Sequence, residues 1–218
     1  LKAKYGTVDN LKKAWGNLAS DVTDFSQVPL FKVEYRLQKD ARGTDILEYV
    51  TQLETEMLRW YRDTAKAAGF KGQVANYDMG QSLRYSVVRK DAGVIFMHAY
   101  HAHPSNYTVK GSTIDQSSSF NNASLIFRGL NSAHQINTPI VVTEYGNVFW
   151  NQYRYEQSFA NGAYAALNGF DGLTFFAQPI AVTPSTRMHP FSGMKDPIIQ
   201  ANEFLTSYMF CRGDVSTA

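Results

Sequence analysis

The chain has 218 residues, of which 44% are hydrophobic and 18% charged, with a formal net charge of +2. That composition suits one folded domain with a real core and excludes a disordered tail. The near-neutral balance, without a Lys/Arg run, argues against a nucleic-acid partner. No apolar stretch approaches the roughly 20 residues that span a bilayer, so no membrane partner is expected either. The single cysteine, Cys211, excludes an internal disulfide and a cysteine-based metal framework, and no cofactor is called for. Aromatic residues make up 14%, which suits a sugar-stacking surface or a well-filled core equally.

Residues 1–43 read as an irregular loop and helix lead-in. The chain opens Leu1-Lys2-Ala3-Lys4-Tyr5-Gly6 and closes Arg212-Gly213-Asp214-Val215-Ser216-Thr217-Ala218, neither of which resembles a natural terminus or a targeting segment. The expectation is a piece of a longer protein or a cleavage product. From residue 44 onward, helix and strand patterns alternate. Leu47, Val50, Leu53, Met57, Trp60 and Tyr61 recur at three- and four-residue spacing and predict a long helix over 44–68, capped by Thr44 or Asp45 and closed by Gly69. A strand is expected at 72–77, a helix at 82–90 and a buried strand at 93–100. A helix over 119–135, a continuous apolar strand at 139–143 and a helix over 152–167 follow. A strand at 172–176 and an amphipathic helix at 197–210 complete the order.

Apolar strands alternating with helices predict an α/β fold with a parallel sheet under helices. The rhythm of about 40 residues suits a (β/α)8 barrel, yet only four strands are expected, and a whole barrel takes about 250 residues. The reading is therefore the C-terminal half of a (β/α)8 TIM barrel, strands five to eight with their helices, in one partial catalytic domain spanning 1–218.

In parallel sheets functional groups gather where strands end. Those ends read Asn76-Tyr77-Asp78, His98-Ala99-Tyr100-His101-Ala102-His103-Pro104, Thr143-Glu144-Tyr145-Gly146-Asn147 and Phe175-Phe176-Ala177-Gln178-Pro179. Glu144, directly after the apolar run at 139–143, is either a catalytic carboxylate or an N-cap or loop salt bridge. His98, His101 and His103 have the number of imidazoles a zinc site uses. Strand alternation would turn His98 and His101 to opposite faces, which favours a hydrogen-bonding rim for a polar ligand and, more strongly, a structural role for at least one of the three, and leaves the metal set empty.

The order Asn76, His98-x-Tyr100-x-x-His103-Pro104, Thr143-Glu144-Tyr145-Gly146 and Arg212-Gly213-Asp214-Val215 resembles the second half of a retaining glycoside hydrolase barrel of clan A, galactosidase-like or agarase-like. The opening Lys4-Tyr5-Gly6-Thr7, Leu11 and Ala14-Trp15-Gly16 resembles the stretch such enzymes carry after their fourth strand. The resemblance implies Glu144 as nucleophile at the end of strand seven, and secretion or a periplasmic location. The Asn-Glu pair that would bear the acid/base is absent from this chain; Asn202-Glu203 falls inside the last helix, and Glu34 lies in the lead-in.

The function expected is retaining hydrolysis of a glycosidic bond in a poly- or oligosaccharide through a glycosyl-enzyme intermediate on Glu144. Hydrogen-bonding groups expected on the sugar are Asn76, His98, Tyr100, His103, Tyr145, Asn147 and Gln178. Tyr77, Phe149, Trp150 and Phe176 would stack on its rings, with core packing an equal alternative for Phe176. The N-terminal half of the barrel, from the same protein or another chain, is the expected partner, and this chain alone should be inactive. The alternatives are a non-catalytic carbohydrate-binding half-barrel and a metal-dependent enzyme using His98, His101 and His103.

Overall fold

The computed structural model describes residues 1–29, 39–79, 82–121, 125–177, 188–193 and 195–217. It divides into two compact units, Leu1–Trp60 and Tyr61–Ala218. In the first, α1 (Lys2–Tyr5) and α2 (Val8–Trp15) are followed by short 3-10 turns at Gly16–Ala19 and Phe25–Gln27. Thr7 caps α2 by accepting from the Asn10 amide at 3.3 Å. Leu11 and Trp15, one helical turn apart, bury the same face with Ala19 and Val22. Asp45 is buried at the centre of this unit. It accepts from Tyr5 Oη and Trp15 Nε1, both at 2.7 Å, and pairs with Lys4 Nζ at 2.7 Å. Burial, the largest single influence, pushes its carboxyl up, but the three donors together outweigh it and hold it below the usual range.

The long helix α3 runs over Ala41–Ala67, three residues earlier at its start than the periodicity suggested. Asp40, not Thr44 or Asp45, supplies the cap, accepting from the Gly43 amide at 2.7 Å. Gly69 closes the helix at φ 93, a left-handed position that glycine takes without strain. The periodic stripe is not the buried face: Leu53 is 47% and Trp60 62% exposed, whereas Ile46 and Leu58 are buried.

The second unit has α4 (Leu83–Arg89), β1 (Ile95–His101), α5 (Leu125–Asn131), β2 (Ile140–Asn147), α6 (Tyr164–Leu167), β3 (Gly172–Phe175) and α7 (Pro197–Phe210). The fold is α/β, and its sheet is an open, parallel three-stranded one in the order β1-β2-β3. The strand expected at 72–77 is not formed. Asn76 turns its side chain back onto the Tyr77 amide (2.7 Å) and Tyr77 takes φ 65, so the backbone leaves the extended region. One ladder-like bond remains beside β1, from the His98 amide to the Asp78 carbonyl at 2.8 Å.

Two expected helices are shortened or broken. Residues 119–121 form a turn because the buried Glu156 carboxylate accepts from Ser118 Oγ, Ser119 N and Ser119 Oγ at 2.6–2.8 Å, which holds that segment out of α5. The stretch expected as one helix over 152–167 is a 3-10 turn at Arg154–Glu156, a π-turn at Ser158–Ala163 and then α6. A Cβ added to Gly162 would lie 3.0 Å from Thr206 Cα, so the missing side chain lets the π-turn approach α7 closely. The core lies on one face of the sheet, where Ile95, Met97, Ile140, Val142 and Tyr145 meet Leu130, Ala165 and Phe170. No described helix is long and apolar enough to cross a membrane.

Candidate functional site

Strand alternation sorts the side chains of β1. Ile95, Met97 and Ala99 belong to the core face, which leaves Phe96, His98 and Tyr100 on the other. In β2 the alternation is interrupted. Met97 pairs with Val142 but His98 pairs with Glu144, so Thr143 is an extra, bulged residue whose hydroxyl donates to the Met97 carbonyl at 3.2 Å. Val142 before the bulge and Tyr145 after it both enter the core. Glu144 is thereby turned to the face that carries His98 and Tyr100. An unbroken alternation from Ile140 and Val142 would have buried it with the core.

The Tyr100 hydroxyl donates a hydrogen bond to Glu144 Oε2. Burial, and then the bond to the Glu144 carboxylate, push the Tyr100 hydroxyl far above the ordinary tyrosine range, so it remains a protonated donor at any working pH. His98 stands opposite Glu144 in register, and its Nδ1 lies 3.0 Å from Asp78 Oδ2. Rings continue from this point. Phe191 lies 4.9 Å from the Tyr100 ring, 5.1 Å from His103, 5.8 Å from Tyr107 and 6.2 Å from Phe176. Phe191 is 8% exposed, and two of the rings near it, Tyr107 and Phe176, are about half exposed. Chemically, this is a partly buried carboxylate with one oriented donor, an imidazole opposite it in register and apolar ring surfaces nearby.

Several expected site residues stand elsewhere. Tyr145 is a correction: it is buried in the core on the opposite face, where its hydroxyl donates to Glu203 Oε2 at 2.7 Å. Asn147 is a second: it is buried, its backbone amide donating to Gln157 Oε1 (2.9 Å) and its Nδ2 to Ser119 Oγ (3.3 Å). Adjacent residues of a strand face opposite ways, so Glu144 and Tyr145 cannot both line one site. Asn76 is exposed but its Oδ1 is turned onto the neighbouring Tyr77 amide. Tyr77 packs its ring 5.5 Å from Tyr85. Trp150 packs edge-on to Phe149 at 6.2 Å. Gln178 and Glu34 lie outside the described residues.

The three histidines diverge. His98 meets Asp78, buried His101 meets the Ser117 carbonyl at 2.8 Å, and His103 meets the Pro104 carbonyl at 3.0 Å. Among the described residues no three His, Cys, Asp or Glu side chains converge as a metal set. Asp78, Phe191 and Tyr107 were missed in the sequence. Asp78 stands at a strand-end position that was read, while Phe191 and Tyr107 sit in loops with no motif. Compared with protein families, curated proteins and solved structures, the chain matches no family model, no curated protein and no solved structure.

Proposed function

We propose that this chain is the C-terminal part of a retaining glycoside hydrolase barrel of the clan A type, with Glu144 as the nucleophile. The observation that carries the reading is the Tyr100–Glu144 hydrogen bond, made between the C-terminal halves of neighbouring parallel strands and edged by half-exposed rings. A nucleophilic carboxylate must be ionised and must keep one oxygen available; a protonated Tyr100 occupies Oε2 and leaves Oε1 for the anomeric carbon. The flanking rings suit the apolar faces of sugar rings, and His98 suits a hydroxyl.

A retaining mechanism needs a second carboxyl group about 5–5.5 Å away to protonate the leaving oxygen. In this reading a segment outside the chain supplies it, together with the strands that complete the barrel. The small open sheet supports that requirement, because the three parallel strands among the described residues do not close on themselves. The direct test is turnover of a panel of galactans, agarans and other polysaccharides by the full-length protein and its Glu144→Gln variant. Gln keeps volume and one acceptor, so folding and glycan binding should persist while turnover falls on the order of 10^4-fold or more. Substantial activity in the variant rejects Glu144 as nucleophile. Binding without turnover in the unaltered protein favours a non-catalytic carbohydrate-binding module.

A further inference from the structure

The glycosidase reading leaves unexplained why His98 has an acidic neighbour. Asp78 belongs to a segment that forms no strand, yet it touches His98 twice. Its carbonyl accepts from the His98 amide at 2.8 Å, and its Oδ2 lies 3.0 Å from His98 Nδ1. The backbone bond fixes the distance between the two residues, so the side-chain contact does not depend on a long, freely rotating arm. A carboxylate offers only acceptors, so the nitrogen facing it must carry the proton. In a neutral imidazole the other nitrogen, Nε2, is then an acceptor. The imidazole keeps 18% of its side-chain surface accessible, and it stands in register with Glu144.

We propose that Asp78 is a positioning residue. It holds His98 as the Nδ1–H tautomer, so that Nε2 presents a lone pair beside Glu144 as an acceptor for a ligand hydroxyl. The hydroxyl-bearing ligand rests on the glycosidase reading; the tautomer does not. With Asp78 in place, a sugar hydroxyl next to the reacting carbon can donate to Nε2. In the opposite tautomer Nε2–H would compete as a donor, and the site would select a different pattern of hydroxyls.

The tautomer is read directly by long-range proton–nitrogen NMR correlation on the uniformly 15N-labelled full chain, at a pH where the imidazoles are neutral. The chain has five histidines, and a His98→Gln sample assigns the relevant signals. The expected result is a pyrrole-type Nδ1 and a pyridine-type Nε2 for His98. Asp78→Ala should transfer the proton to Nε2, whereas Asp78→Asn, which keeps an acceptor oxygen, should preserve the original tautomer. A His98 already in the Nε2–H form, or one unchanged by Asp78→Ala, overturns the proposal. In the active full-length protein, Asp78→Ala should raise KM about tenfold and change kcat little, with Asp78→Asn restoring most of the loss. A full-length protein that shows the tautomer change but cleaves no glycan upholds the positioning role and overturns the glycosidase reading.

Discussion

The two faces of β2 carry the same pair of functional groups in opposite circumstances. On one face Tyr100 donates to Glu144 among half-exposed rings; on the other Tyr145 donates to Glu203 of α7 inside the packed layer. Glu203 also accepts from Gln157 Nε2 at 2.5 Å, so both of its oxygens are held by the fold. Burial pushes the Glu203 carboxyl up despite those two donors, and burial together with Glu203 pushes the Tyr145 hydroxyl up. Glu144 has Tyr100 as its hydrogen-bonding partner among the described residues, on one oxygen. A tyrosine–carboxylate pair is therefore not a site by itself. What separates the two is acceptor capacity left over at a partly exposed position.

The comparison is sharpened first by a third carboxylate that belongs wholly to the structural class. Glu156 is buried and holds Ser118 and Ser119 through three hydrogen bonds. Glu156→Ala should cost about 3 kcal/mol of unfolding free energy, because three donors lose their acceptor; denaturant titration measures it. On the open face, Tyr100→Phe should lower kcat/KM about 10^2-fold with under about 1 kcal/mol of stability lost, since one electrostatic donor goes and the ring stays. Equal losses of stability and activity would erase the distinction between the faces.

On the buried face the balance reverses. Tyr145→Phe keeps the core ring but leaves Glu203 short of a donor, and it should destabilise the chain by about 1–2 kcal/mol while kcat of the full-length protein stays within about twofold. The smallest effect is pH-dependent. Glu203 has a raised folded value, so the folded state holds its proton longer than the unfolded chain does. Its contribution is fully present below the ordinary carboxylate value and is lost as pH rises through the folded one. Glu203→Gln should therefore flatten the decline of Tm with rising pH in the weakly acidic range. An unchanged Tm–pH profile would show that Glu203 is not the group responsible.

Much of this arrangement was legible in the residues. β1, β2, β3 and α7 were found within two residues except at the end of β2, because continuous apolar runs and helical spacing are strong local signals. Glu144 was expected directly after a strand ending at 143, whereas β2 continues to Asn147 and holds Glu144 within it, paired with His98. The bulge at Thr143 was not legible, although it decides which face Glu144 occupies; it depends on pairing with Met97 and His98, which sequence period does not report. Tyr145 and Asn147 were misplaced for the simpler reason that strand ends were read as whole clusters. A period of two already separates Glu144 from Tyr145. Tertiary demands hid the rest: Glu156 holds the 119–121 turn out of a helix, and the close approach of Gly162 to Thr206 accompanies the π-turn. The strand expected at 72–77 failed because Asn76 and Tyr77 settle their backbone needs locally.

The most direct measurement concerns the fate of Glu144 during turnover. The full-length protein would be incubated with a 2-deoxy-2-fluoroglycosyl fluoride of a sugar it cleaves, then digested and examined by peptide mass spectrometry. Attack by a Glu144 oxygen on the anomeric carbon expels fluoride and leaves a glycosyl ester that turns over slowly. The predicted result is one glycosyl adduct per molecule, on the peptide containing Glu144, and none in Glu144→Gln. An adduct on another carboxylate, or active hydrolysis with Glu144 never labelled, would contradict the assignment of the open-face pair as the catalytic one.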